Sequence, residues 1–188
     1  SHFSIYSELQ MLTSLSISLR GEIIIRDSIF HRKDWPILKN KHILHSKRNL
    51  GSGFLFGLGL VAFFDEVVFH QLLAWHHFYD KSTVAVGLFS DGLFHAFSWF
   101  ATIAAMFLVA DLRRRNAFWM KRWISGMLLG VGFFQLYDGL VQHKLLGLHQ
   151  IRYDVYIVPY DIVWNVTAVI ILIIGAILFM QTKKINVL

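Results

Sequence analysis

The chain contains no cysteine, so a disulfide-stapled secreted scaffold is excluded. Charge is scarce as well: only 16% of the 188 residues are charged, where a soluble domain of this length carries about a quarter. No serine sits in a nucleophile elbow, and no glycine-rich loop precedes a helix to cradle phosphate, so nothing in the sequence reads as hydrolytic. What is abundant is apolar surface: 55% of residues are hydrophobic and 15% aromatic, with a mean hydropathy of +0.51. These residues collect into four runs, Gly51 to Trp75, Val84 to Ala110, Ile124 to Leu148 and Ile157 to Met180. Each is long enough to cross a bilayer core, which takes about 20 residues at roughly 1.5 Å rise. A soluble enzyme and a disordered chain are thereby excluded. The expected fold is all-α, a four-helix transmembrane bundle.

The net charge of +6 would suggest nucleic acid if its placement did not say otherwise. Of 18 Lys and Arg, eight lie between Arg20 and Arg48, five between Arg113 and Arg122, and two are Lys183 and Lys184. Only Lys81, Lys144 and Arg152 fall near the other two connections. This is the positive-inside pattern. It predicts a multi-pass protein of the inner (plasma) membrane with both termini and the middle loop in the cytoplasm. The basic character then reports topology and contact with an anionic bilayer, and no nucleic-acid partner is expected.

Residues 1–50 read as a basic cytoplasmic extension, 51–181 as the spanning domain and 182–188 as a cytoplasmic tail. The extension does not read as a signal peptide, because its basic residues follow its apolar ones and no small-residue cleavage site is visible. Residues 15–19 (LSISL) alternate like a strand.

The spanning part repeats internally, with units at 51–110 and 124–181. Residues 53–77 align with 126–150 without a gap, and ten of the 25 positions are identical: Gly53, Leu55, Gly57, Gly59, Asp65, Val68, His70, Leu72, Leu73 and His76. Their partners 73 residues later include Asp138, His143 and His149. In the second helix of each unit Asp91 faces Asp161, once the outer loop of the second unit is three residues shorter. Two spans per unit make the repeats parallel, related by an axis along the membrane normal. The glycines give small-xxx-small spacing, which lets helix backbones approach closely in lipid.

Four aspartates, Asp65, Asp91, Asp138 and Asp161, stand inside the apolar runs, accompanied by Glu66, His70, His95, His143 and Asn165. His76, His77 and His149 lie at the outer ends. At about 1.5 Å per residue, Asp65 and Asp138 are roughly 21 Å from the inner start of their spans, with Asp91 about 10 Å and Asp161 about 6 Å from the outer side. All four thus fall in the outer half of a core about 30 Å thick. A carboxylate at mid-span costs roughly 2.5–3.5 kcal/mol, and four cost on the order of 10 kcal/mol unless protonated, hydrated or paired. No lysine or arginine lies inside the spans to neutralise them, apart from Lys144 near the outer end of the third run. A divalent cation compensates most directly, because Asp and His are ligands for zinc, copper and iron.

The expected ligands are Asp91, His95, His70, His143, Asp65, Asp138, Glu66 and Asp161, with His76 and His149 as entry groups. Asp91 and His95 share a helix face at i,i+4, as do Glu66 and His70. Asp65 and His70, by contrast, stand about 140° apart on a regular helix, so both reach one ion only if the helix distorts or the site holds two metals. Plainer readings stand beside these. The outer histidines are also ordinary polar helix ends, and Asp65 and Asp138 can bridge helices through Tyr137, Tyr160 or Trp164. Trp75, Tyr79, Trp119, Trp123, Tyr153 and Tyr156 are the interfacial aromatics of any span.

The strings GFLFGLGLVAFFDEVVFHQLLAWHH, SDGLFHAFSW and GVGFFQLYDGLVQHKLLGLH resemble a prokaryotic membrane family known as domain of unknown function 2243, over about Gly51 to Met180. That resemblance implies four spans and brings no established activity; its association with copper-assembly proteins leans toward copper. Three functions follow from the residues. The first is a transition-metal binding protein (copper, zinc or iron) with its site facing the outer side. The absence of Cys, and of Met near the site, speaks against soft Cu(I) handling. The second is a membrane oxidoreductase, with either a dinuclear Asp/His centre or a haem held between His70 and His143. The third is a proton- or ion-coupled transporter using Asp and His as a relay. A homodimer or another membrane protein is a possible partner, since four helices are few for alternating access.

Overall fold

A computed structural model of the chain describes residues 45–184; the alternating segment at 15–19, the rest of the extension before residue 45, and residues 185–188 lie outside the described residues. Among the described residues all regular structure is helical. Four helices are long and apolar enough to cross a membrane: Ser46–Leu72, Val84–Arg114, Met120–Leu145 and Val158–Thr182. Helix α1 (Ser46–Asp65) passes directly into a π-helical segment, π1 (Glu66–Leu72), and α3 (Met120–Tyr137) into π2 (Asp138–Leu145). The other two helices, α2 (Val84–Arg114) and α4 (Val158–Lys184), are α-helical throughout.

The first and third helices begin before the apolar runs do, at Ser46 and Met120. Hydropathy sees only the lipid-facing part, whereas hydrogen-bonded turns continue as long as their polar side chains find partners. Asn49 is fully buried yet satisfied: its amide donates to the carbonyls of His45 (3.0 Å) and Ala117 (2.9 Å) and accepts from the Trp119 N–H (2.7 Å). The connection between α2 and α3 is thereby pinned to α1. Arg122 donates to Thr182 Oγ1 at 2.8 Å and lies over the Phe179 ring, which ties α3 to α4. At the opposite end, α2 starts at Thr83, whose hydroxyl accepts from the Val86 N–H, and it finishes on Arg113 and Arg114, the charge that suits a helix C-terminus.

The backbones of α1 and α3 form the central pair, with α2 approaching α1 and α4 approaching α3; the backbones of α2 and α4 approach neither each other nor the opposite central helix. Glycine makes the central pair possible. A β-carbon on Gly53 would collide with the carbonyl of Trp123, and one on Gly126 with that of Leu50; Gly57 and Gly130 stand in the same relation to the carbonyls of Met127 and Phe54. These contacts are reciprocal under the 73-residue offset, and they advance in the same direction along both helices. Above the crossing, Ala62, Phe94 and Phe134 form a small buried cluster with Leu58, Val61 and Phe78 packed against it.

Each π segment follows the buried aspartate that ends its α-helix or opens the segment itself. Beyond it the chain unwinds through wide bonds, Leu73 N–H to Val68 and Trp75 N–H to Phe69 in one case, Leu146 N–H to Val141 and Leu148 N–H to Gln142 in the other. Both exits turn on a left-handed residue at the same repeat position, Ala74 (φ 48°) and Gly147 (φ 55°).

Candidate metal centre

The two π segments resolve the angular conflict between Asp65 and His70. A π-helix closes i→i+5 bonds, so residues five apart are brought over one another. Both aspartate–histidine pairs are spaced by five, and both histidines swing onto the aspartate's side. His143 Nε2 lies 3.0 Å from Asp138 Oδ2, and His70 Nε2 lies 3.9 Å from Asp65 Oδ2. The loops then fold back and add His76 and His149. Asp65, Glu66, His70, His76, Asp91, Asp138, His143 and His149 are each no more than 5% exposed.

His76 and His149 are held by a crossed pair of bonds. His76 Nδ1 is 2.9 Å from the carbonyl of Ile151, and His149 Nδ1 is 2.9 Å from the carbonyl of Phe78. These positions exchange under the 73-residue offset, and the two rings stack 4.5 Å apart at 6°. A carbonyl only accepts, so each Nδ1 carries the proton and each Nε2 presents a lone pair to the interior. Burial, then the neighbouring imidazoles of His149, His70 and His143, push His76 down to about 2, against the opposite pull of Asp138. His76 is therefore neutral at any ordinary pH.

Three groups of side chains bring one possible ligand atom each within 4.8 Å of one another: Asp138, His143 and His149; His70, His76 and His149; and Glu66, His70 and Asp91. The first is the tightest. His143 Nε2 is 3.1 Å from His149 Nε2 and 3.0 Å from Asp138 Oδ2, while Asp138 Oδ1 is 3.6 Å from His149 Nε2. Ligands bound at about 2.0–2.2 Å around one ion stand roughly 3–3.5 Å apart, which is the spacing here. The Nδ1 protons of His76 and His149 resting on backbone carbonyls match the outer-shell bond that orients a ligating histidine.

The third group has its own supports. Asp91 Oδ1 accepts from the Phe78 N–H at 2.7 Å and lies 3.1 Å from His70 Nδ1, while Asp91 Oδ2 lies 2.6 Å from His77 Nδ1. Glu66 Oε1 accepts from the Gln71 amide at 2.7 Å, and Glu66 Oε2 lies 2.9 Å from His70 Nδ1. Beneath the site the rings of Phe78, Phe94 and Phe134 stack in succession, and Phe94 also meets His70.

Two expected ligands are not gathered. His95 shares its side of α2 with Asp91 only loosely: its ring is exposed and rests on Phe63, 5.6 Å between centroids. Asp161 pairs with Lys144 at 2.5 Å. Counted from its helix start, Asp161 is four residues shallower than Asp91, a rise of about 6 Å. His77, in contrast, was not among the expected ligands and turns out to be Asp91's partner. The available signal was its place fourteen residues before Asp91 with Gly87 between them, since a β-carbon at Gly87 would strike the His77 ring.

The family described as a predicted membrane protein (DUF2243) matches residues 52–182, and the chain belongs to it. No curated protein and no solved structure matches the chain.

Proposed function

We propose that this membrane protein binds a divalent transition metal (copper, zinc or iron) through Asp138, His143 and His149, with His76 beside them. The observation that carries this reading is the spacing of about 3 Å between buried nitrogen and oxygen ligand atoms, with the outer nitrogen of His149 already fixed by a backbone carbonyl. One carboxylate and two or three imidazoles make a borderline donor set suited to Zn(II), Cu(II) or Fe(II). The charge distribution supports a site toward the outer face of the plasma membrane, with both termini in the cytoplasm. Access from the loops at 73–83 and 146–157 is supported by the central helix backbones meeting at Gly53, Gly57, Gly126 and Gly130 toward the basic end. That same feature counts against alternating-access transport. A haem between His70 and His143 fits poorly: the His76 and His149 rings, each in contact with both, fill the space a porphyrin would need.

The test is elemental analysis of protein purified without a metal-binding tag, beside a His143→Ala, His149→Ala double variant. Copper, zinc or iron bound to the wild type and lost from the variant supports the reading. No metal in either sample after reconstitution overturns it and moves a proton relay to first place.

A second reading, a metal-dependent membrane oxidoreductase, is favoured by one observation. An apolar groove of about 400 Å³ opens between α2 and α3, lined by Leu93, Phe97, Phe133 and Tyr137, and ends at Phe78, Phe94 and Gln142 beside the centre. It would bring a lipid-soluble substrate to the metal. Turnover of a hydrophobic hydroquinone by the metal-loaded protein, abolished together with metal binding, would move this reading ahead.

A further inference from the structure

We infer that the first half of the protein carries a second divalent-metal site, built from Glu66, His70 and Asp91, and that His70 links it to the first. This rests on the metal-binding reading above and extends it from one ion to two.

The ligand atoms are Glu66 Oε2, His70 Nδ1 and Asp91 Oδ1, at 2.9 Å and 3.1 Å from the shared nitrogen. Their other oxygens are already engaged, Glu66 Oε1 by Gln71 and Asp91 Oδ2 by His77, while the ligand atom Asp91 Oδ1 is itself steadied by the Phe78 N–H. Glu66 Oε2, in a residue only 1% exposed, meets only His70 Nδ1 among the described residues, and that single nitrogen also faces Asp91 Oδ1, so one imidazole N–H cannot satisfy both carboxylates and a cation between them would. His70 belongs both to this group and to the group with His76 and His149. Once its N–H proton is released to solvent on metal loading, the His70 imidazolate can therefore serve an ion on either side.

Charge supplies an independent argument. The buried carboxylates Asp65, Glu66, Asp91 and Asp138 together carry −4 when ionised. Neither Lys144 nor Arg122 reaches them, being paired with Asp161 and Thr182. One divalent ion leaves −2 in the interior; two neutralise the four carboxylates, leaving only the −1 of the bridging His70 imidazolate while the other histidines stay uncharged. The second half cannot build a third site, because Gly139 stands where Glu66 would and Asp161 turns to Lys144. The stoichiometry is two. The donor sets also differ: the new site has one nitrogen and two carboxylates and takes a harder ion, Fe(II), Mn(II) or Zn(II), than its histidine-rich neighbour.

The experiment is metal stoichiometry on the full chain in detergent, without a metal-binding tag. The protein is stripped, loaded with Zn(II) and measured by elemental analysis in the wild type, in Glu66→Gln with Asp91→Asn, and in the isosteric single variant Glu66→Gln. Two ions per chain in the wild type, falling to one in the double variant with unchanged elution and helix content, is the expected result. A misfolded double variant leaves the decision to Glu66→Gln, which should bind the second ion at least tenfold more weakly. One ion in the wild type, or two that neither variant removes, overturns the second site while leaving the first standing. No ion in the wild type overturns both. Loading with Cu(II) reads the link itself: spins coupled through His70 give less paramagnetic resonance intensity than the copper content, and His70→Ala restores the full signal. Full intensity in a doubly loaded wild type would remove His70 as the bridge.

Discussion

The two halves of the spanning region agree wherever they touch each other and differ where they face inward alone. α1 with π1 and α3 with π2 exchange glycine contacts, cross their histidine–carbonyl bonds and leave their π segments through left-handed residues at matched positions. Away from that shared surface, the first half places Glu66, Asp91 and His77 around His70, whereas the second has Gly139 and an aspartate drawn off by Lys144. Contacts between halves constrain both partners at once; the walls of each half's own pocket carry no such constraint. The chemistry has diverged where the packing allowed it.

The largest effect expected is on the shared surface. Gly57→Leu and Gly130→Leu each force a side chain into a carbonyl of the partner helix, and should cost about 3 kcal/mol or more. Both variants should yield little monodisperse protein, and by similar amounts; tolerance of one but not the other would show that the reciprocity of the crossing is only geometric. Next come the outer histidines. His149 belongs to two of the candidate ligand groups and His76 to one, so His149→Ala should weaken zinc binding on the order of 100-fold and His76→Ala about 10-fold, measured by chelator competition. Equal losses would mean that their stacking matters more than ligation.

A sharper contrast lies between the matched aspartates. Asp91→Asn should lower thermal stability in the metal-loaded protein and reduce the metal content. Asp161→Asn removes only a pair whose lysine is 40% exposed, and should change stability by less than about 1 kcal/mol with no loss of metal. The smallest effect concerns the left-handed exits. Ala74→Gly relieves a strained backbone and should stabilise by about 0.5–1 kcal/mol, while Gly147→Ala should destabilise by about 1 kcal/mol. Opposite shifts in melting temperature are the expected outcome.

The spans and the inward aspartates were legible in the sequence because both rest on the cost of exposing or burying the wrong group in lipid. So were His70 and His143, whose recurrence 73 residues apart marked them together. The π segments were not: a helical wheel assumes 100° per residue, and it places Asp65 and His70 on different sides. The repeated spacing of five in both halves was the one trace of them. The i,i+4 rule also paired Asp91 with His95, although two residues 40° apart can straddle the edge between a buried and a lipid-facing stripe, and these do. His77 was hidden because its partner is reached through a loop, where no periodicity applies.

The crossed bonds of His76 and His149 have a consequence for how such a protein can change. A contact in which each side gives what it receives is the kind two identical chains make about an axis, and in a dimer every substitution would strike both sides together. Here residues 115–119 join the two sides into one chain. A single codon can then alter one side and spare the other. Glu66 opposite Gly139 is such a difference, and a symmetric pair of separate chains could not hold it. The short linker, whose Arg115 is paired with Asp111 at the end away from the histidines, is what permits the asymmetry at the other end.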